Sequence, residues 1–135
     1  MINPKFYPFY IALGLSVVFF IVYILLSNQG LILSLEPNES IGDISRWCER
    51  VSGGIFREPS NALSNIGFMI LGLLMFWFLG KDIKSSNSNQ FTGINSISIL
   101  YAGAALFLGP GSLLMHGTHT EWGEWADNLS MIMYI

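Results

Sequence analysis

The chain has 135 residues, of which 52% are hydrophobic and 11% charged, against about 25% charged in a typical soluble domain. Six Lys and Arg against nine Asp and Glu leave no basic excess, which excludes a nucleic-acid binder. A mean hydropathy of +0.52 and an aromatic fraction of 14% exclude a disordered chain and point to lipid as the main solvent. The single cysteine, Cys48, excludes an internal disulfide framework and any multi-cysteine metal site.

The first element is the 30-residue stretch from Phe6 to Leu35, which carries no formal charge and is almost wholly apolar from Phe9 to Leu26. A bilayer core needs about 20 such residues as a helix, so a transmembrane helix is predicted. The alternative, a secretory signal peptide with Lys5 in its n-region, fits less well. The run exceeds the usual h-region of about 7–15 residues, and no small-x-small cleavage site follows. A second uncharged run goes from Pro59 to Gly80 and is stopped by Lys81, Asp82 and Lys84; a third extends from about Ile94 to Met115. A fourth helix is expected to begin near Ala126, leaving only its start before Ile135. The expected fold is therefore all-α and multi-pass in the membrane, with three full spans plus the start of a fourth. A polar loop, Ser85 to Gln90, joins the second and third segments.

With alternate loops on opposite sides of the bilayer, eight of the nine acids share one face: Glu36, Glu39, Asp43, Glu49, Glu58, Glu121, Glu124 and Asp127. Lys5, Lys81 and Lys84 share the other. The three arginines, Arg46, Arg50 and Arg57, fall on the acidic side, so the positive-inside count is a tie. The short lysine-bearing segments lean it towards an N-terminus inside.

Two constellations carry chemistry. In the run Gly109-Pro110-Gly111-Ser112-Leu113-Leu114-Met115-His116, Ser112 and His116 are i and i+4 and share a helix face; Asp127 follows eleven residues later. A serine triad is one reading, but a helical Ser has no nucleophile elbow. A metal centre is the favoured one, with His116 and Asp127 as ligands and Ser112 as an orienting hydroxyl. The plain structural reading has Ser112 bonding back to its own helix, His116 in the interface and Asp127 capping the fourth helix. The second constellation is Trp47-Cys48-Glu49 followed by Arg57-Glu58-Pro59-Ser60-Asn61-Ala62-Leu63-Ser64-Asn65. Pro59 suits a first helical turn, and Ser64 and Asn65, inside a membrane helix, are expected to face protein. Glu49 and Glu58 with loop carbonyls make a candidate site for a hard cation such as calcium; otherwise Arg57 pairs with one of them at a capped helix end.

Together these motifs resemble the alkaline ceramidase family of membrane hydrolases, whose superfamily includes the adiponectin-type receptors. The resemblance runs from Arg46 to Ile135 through four ordered elements: Trp47-Cys48-Glu49; Glu58 with Asn61, Ser64 and Asn65; Gly109-x-Gly111-Ser112 with His116; and Asp127 with the apolar Met131 to Tyr134 stretch. It implies a seven-helix bundle, of which residues 36–135 would be the N-terminal half and residues 1–35 an extra N-terminal helix. It implies zinc ligated by His116, a zinc-bound water held by Asp127, Ser112 supporting the oxyanion, and hydrolysis of the amide of a ceramide-like lipid. Glu49 and Glu58 would match two calcium ligands, with Trp47, Asn61, Ser64 and Asn65 supporting the site. Arg46 and Val51 stand where the family has an acid and an Asn. The family's late His-x-x-x-His pair has no counterpart here, and His119 reads as a loop residue. The alternatives are a non-catalytic, receptor-like protein of the same fold, or a small membrane protein whose polar residues only hold helices together.

Overall fold

A chain in lipid must satisfy every backbone N–H and C=O internally, which selects helices for the apolar runs. The computed structural model describes residues 3–37, 49–82 and 91–135, so Arg46, Trp47 and Cys48 lie outside the described residues. The described residues form helices α1 (Tyr7–Asn28), α2 (Pro59–Ser64), α3 (Ile66–Lys81), α4 (Ser96–Thr118) and α5 (Glu121–Tyr134), with no strand among them. Three stretches are long and apolar enough to cross a membrane: Pro4–Asn28, Pro59–Lys81 and Ser96–Thr118.

The first apolar run is helical over less of its length than its lack of charge suggested. After Asn28 and Gln29, Gly30 adopts φ +75° and the chain turns back on itself. A left-handed residue after the last turn is how helices commonly end, and Gly takes it without strain. The second run is two helices in tandem, with Pro59 in the first turn of α2 as expected and Asn65 at the junction with α3.

In α4, Asn95 and Ser98 form a reciprocal capping box, and the helix continues through Pro110 to Thr118, so Ser112 and His116 do stand one turn apart. The fourth helix begins at Glu121, five residues before the expected start, because Thr120 caps it by accepting the Gly123 N–H. Asp127 is thus inside α5 and is not its cap. The apolar pattern misplaced this start because the first turn carries Glu121 and Glu124, acids that favour a helix N-terminus.

Helix α4 is the hub, packed against α3 on one side and α5 on the other. Small residues permit both approaches. A Cβ on Gly109 would fall 2.9 Å from the Asn65 carbonyl oxygen, and one on Gly111 would fall 2.6 Å from Cβ of Ser130. Helix α1 closes the other flank: the Tyr23 and Ser27 hydroxyls both donate to the Ile55 carbonyl, and Tyr23 stacks on Phe56 at 5.0 Å between ring centroids. At the opposite end Phe6 packs against Trp77, and the Lys81 ammonium lies 5.1 Å from a Trp77 ring centroid. Lys5 and Lys81 thus sit at one end of the bundle and Glu49, Glu58 and Glu121 at the other, as the loop bookkeeping required.

Candidate functional site

The site forms where residues 49–58 meet the C-terminal end of α4. The last carbonyls of a helix lack intrahelical donors. Here the Glu58 N–H donates to the His116 carbonyl at 2.9 Å and the Arg57 N–H to that of Gly117 at 3.1 Å. These bonds fix the start of α2 against the end of α4. The Arg57 side chain is buried and donates to the carbonyls of Leu33 and Leu35, which ties in the turn after α1. The expected surface pairing of Arg57 with Glu49 or Glu58 gives way to this role, in which the buried guanidinium finds acceptors in the turn after α1.

The side chain of Glu58 is 0% exposed. Its Oε2 lies 2.6 Å from Nδ1 of His116 and accepts from the Asn61 amide at 3.1 Å. Its Oε1 lies 3.2 Å from Nε2 of His119, close enough for electrostatic contact but out of line for a hydrogen bond. A buried carboxylate must be paired and hydrogen-bonded; the His116 ring and the Asn61 amide do this at Oε2, with the His119 ring beside Oε1. His119 is outside the helix, as expected of a loop residue, but its side chain is only 2% exposed and lies beside Glu58. It is the one non-glycine residue with positive φ among the described residues, at φ 53° and ψ 31°. Burial pushes the His119 imidazole below its usual pKa, with Glu58 opposing and Arg57 assisting the shift.

Glu49 has a separate task. Its two carboxylate oxygens accept the Ser60 and Asn61 N–H groups at 2.7 and 2.8 Å, bracing the first turn of α2. Partial desolvation raises its pKa, but these hydrogen bonds outweigh that and hold it below the ordinary value. Glu49 is thus turned to the backbone N–H groups that open α2, and Glu58 to His116 and the Asn61 amide. Asn65 is buried and bonds to the Asn61 carbonyl. Ser64 corrects its expectation: it is exposed, since its hydroxyl is satisfied by the Asn61 carbonyl of its own helix and needs no neighbour.

Ser112 and Asp127 are both half-buried, and helix periodicity places them on one side of the α4–α5 seam. Tyr101 and Tyr134 stack across that seam, with ring centroids 5.7 Å apart. Tyr101 is about three turns before Ser112 on α4, and Asp127 about two turns before Tyr134 on α5, so each pair forms one stripe. His116 continues the Ser112 stripe one turn nearer Glu58.

The surroundings of His116 fit a metal-binding histidine, which almost always gives its second ring nitrogen to a carboxylate, a carbonyl or water. The donor set is nevertheless partial. Among the described residues no group of three or more His, Cys, Asp or Glu is arranged to hold a metal ion, and catalytic zinc typically takes three protein ligands plus water. Comparison with protein-family models, curated proteins and solved structures found no match to this chain.

Proposed function

We propose that this chain is part of a ceramidase-like, metal-dependent membrane hydrolase that cleaves the amide of ceramide-like lipids, built as a seven-helix bundle with α1 added at its N-terminus. The observation that carries the reading is the contact between the Glu58 carboxylate and Nδ1 of His116, one helical turn from Ser112. His116 and Asp127 would hold zinc, with further donors from outside the described residues. When bound, zinc polarises a carbonyl and lowers the pKa of its water to about 7. Glu58 holds the imidazole of His116 with its Nδ1 turned inward. Ser112 offers a hydroxyl on the same stripe for a developing oxyanion, and Asp127 a carboxylate on the same side for the attacking water's proton.

A second reading is favoured by the mutual satisfaction of Glu58, His116 and Asn61: a polar latch that ties α2 to α4 in a receptor-like or purely structural membrane protein. Metal analysis of the full-length protein in detergent, with hydrolysis of a fluorescent ceramide analogue, separates the two. The hydrolase reading expects bound zinc, with turnover lost in His116→Ala and Asp127→Asn. It also expects turnover to fall about 100-fold or more in Ser112→Ala, the scale of one lost oxyanion donor. Absence of zinc together with unchanged turnover in the His116 and Asp127 variants would leave only the latch.

A further inference from the structure

A cavity of about 460 Å³ lies between α1, the turn that follows it, the end of α4 and the start of α5. Val22 and Leu26 form its α1 wall, Leu31 and Leu35 its wall from the turn, and Leu114 and Trp122 complete it. Gly30, at φ +75°, sends the chain back to make this enclosure, and Ile32 is buried in one cluster with Tyr23 and Leu113. The polar groups at its edge have partners within the protein. The Tyr23 hydroxyl donates to the Ile55 carbonyl, and the Leu33 and Leu35 carbonyls accept from Arg57. Among the described residues no charged side chain lines the cavity. A polar ligand would lose its hydrogen bonds to water there and gain none, so the lining fits hydrocarbon. Size narrows the occupant further. A helix is about 10–12 Å across with its side chains and rises about 5.4 Å per turn, so one turn takes roughly 420–610 Å³. The cavity has room for about one turn and no more, while a standard protein interface needs about 800 Å² from each side. A flexible alkyl chain does fit.

Lipid is at hand, because Val22 and Leu26 belong to Pro4–Asn28, a stretch long and apolar enough to cross a membrane. The cavity also stands apart from the Ser112 stripe. Leu114 is two residues from both Ser112 and His116, and a helix turns about 100° per residue, so Leu114 lies about 200° round α4 from either. We infer that this cavity is an accessory lipid site, which takes one acyl chain of a bilayer phospholipid. A phospholipid is favoured over a free fatty acid because no cation among the described residues lines the cavity to hold a carboxylate. A bound chain touches α1, α4 and α5 together and packs on the turn that Arg57 holds. A ligand that binds only the folded form stabilises it, so occupancy protects that turn from opening.

The test uses the full-length protein in detergent micelles, with a phosphatidylcholine that carries a diazirine in the middle of one acyl chain. Mass spectrometry maps the residues labelled on illumination. Label is expected on Val22, Leu26 and Leu31 several-fold above Ile70 and Leu71, and it should saturate as lipid is added. Ile70 and Leu71 are 54% and 53% exposed against 48% for Val22 and 47% for Leu31, so exposure alone predicts the opposite order. Filling the mouth with Val22→Phe and Leu31→Phe together should abolish the excess label. Hydrogen exchange of the 29–35 turn should slow when lipid is added to the wild type and stay unchanged in the filled variant. If that variant does not fold, competition in the wild type decides: unlabelled phosphatidylcholine should displace the label from the cavity and leave that on Ile70 and Leu71. Label that follows exposure, that rises without saturating or that resists competition is ordinary boundary lipid and overturns the inference. A cavity that takes no label, being filled by another part of the protein, overturns it as well. None of these readouts involves metal or turnover, so the result stands apart from the hydrolase reading.

Discussion

Glu58 and His116 lie 58 residues apart in the chain, yet a carboxylate oxygen of one is 2.6 Å from a ring nitrogen of the other. That contact joins the first turn before α2 to the last turn of α4. Everything placed around it, from the Glu49 brace to the buried Arg57, secures these two helix ends against each other. The consequences can be measured.

The close approach of α4 and α5 depends on Gly111. A Cβ there would meet the Ala126 carbonyl oxygen at 2.9 Å as well as Ser130. Backbone cannot step aside as a side chain can. Gly111→Ala is expected to destabilise the fold by about 1–3 kcal/mol, the usual cost of overpacking. Gly103 on the same helix has nothing within 4 Å of its would-be Cβ, so Gly103→Ala should be neutral or stabilising, by up to about 1 kcal/mol. Thermal unfolding in detergent, followed by circular dichroism, compares the pair; equal losses at both positions would refute the packing argument.

The Glu49 carboxyl is held below its ordinary pKa by the Ser60 and Asn61 N–H groups, against a partial desolvation that acts the other way. A folded-state pKa below the unfolded one means that the unfolded chain binds more protons in between. The stability contributed by Glu49 is therefore complete above the unfolded value of about 4.3 and is lost as pH falls through the folded one. Glu49→Gln should flatten the acid limb of a stability–pH profile and leave the slope near pH 7 unchanged. An identical acid limb in the variant would show that these hydrogen bonds do not favour the charged form.

Arg57 donates to the carbonyls of Leu33 and Leu35 from a buried position. Arg57→Leu removes both hydrogen bonds, at a cost of about 1.5–3 kcal/mol for bonds made by a charged group. Loss should concentrate in the 29–35 turn. Hydrogen exchange in that turn is expected to speed up in the variant while the core of α4 keeps its protection.

Thr120 accepts the Gly123 N–H and shares a 2.7 Å hydroxyl contact with buried Thr118. Thr120→Val deletes both at nearly constant volume. The cap alone is worth about 1 kcal/mol, and Thr118 loses a partner as well, so the melting temperature should fall in Thr120→Val. Thr118→Val loses the same hydroxyl contact and the bonds to the Leu114 carbonyl and the Thr120 N–H, so there it should fall at least as far; an unchanged melting temperature in both variants would refute the cap.

The apolar runs made the helices legible, because in lipid length and hydropathy alone decide what spans. Their ends were less so. The end of α1 depends on the left-handed conformation of Gly30, and the start of α5 on the hydroxyl of Thr120, which outweighs the apolar pattern that pointed to Ala126. Among the site residues, Ser112 and His116 were readable as one stripe because helix periodicity is local. The partner of His116 was not, since Glu58 lies in another element and its sequence neighbours suggested a cation ligand shared with Glu49.

By itself, then, the sequence determined an all-helical pattern, three stretches long and apolar enough to cross a membrane, the placing of Glu49, Glu58 and Glu121 at one end and the Ser112–His116 stripe. These follow from hydropathy and from a repeat of 3.6 residues, which act within a single element. Only the tertiary structure decided that Glu49 caps α2 while Glu58 turns inward to two histidines, and that a residue read as loop is buried at the centre of the site. A carboxylate's role is set by the donors that surround it, and here those donors come from segments brought together by folding.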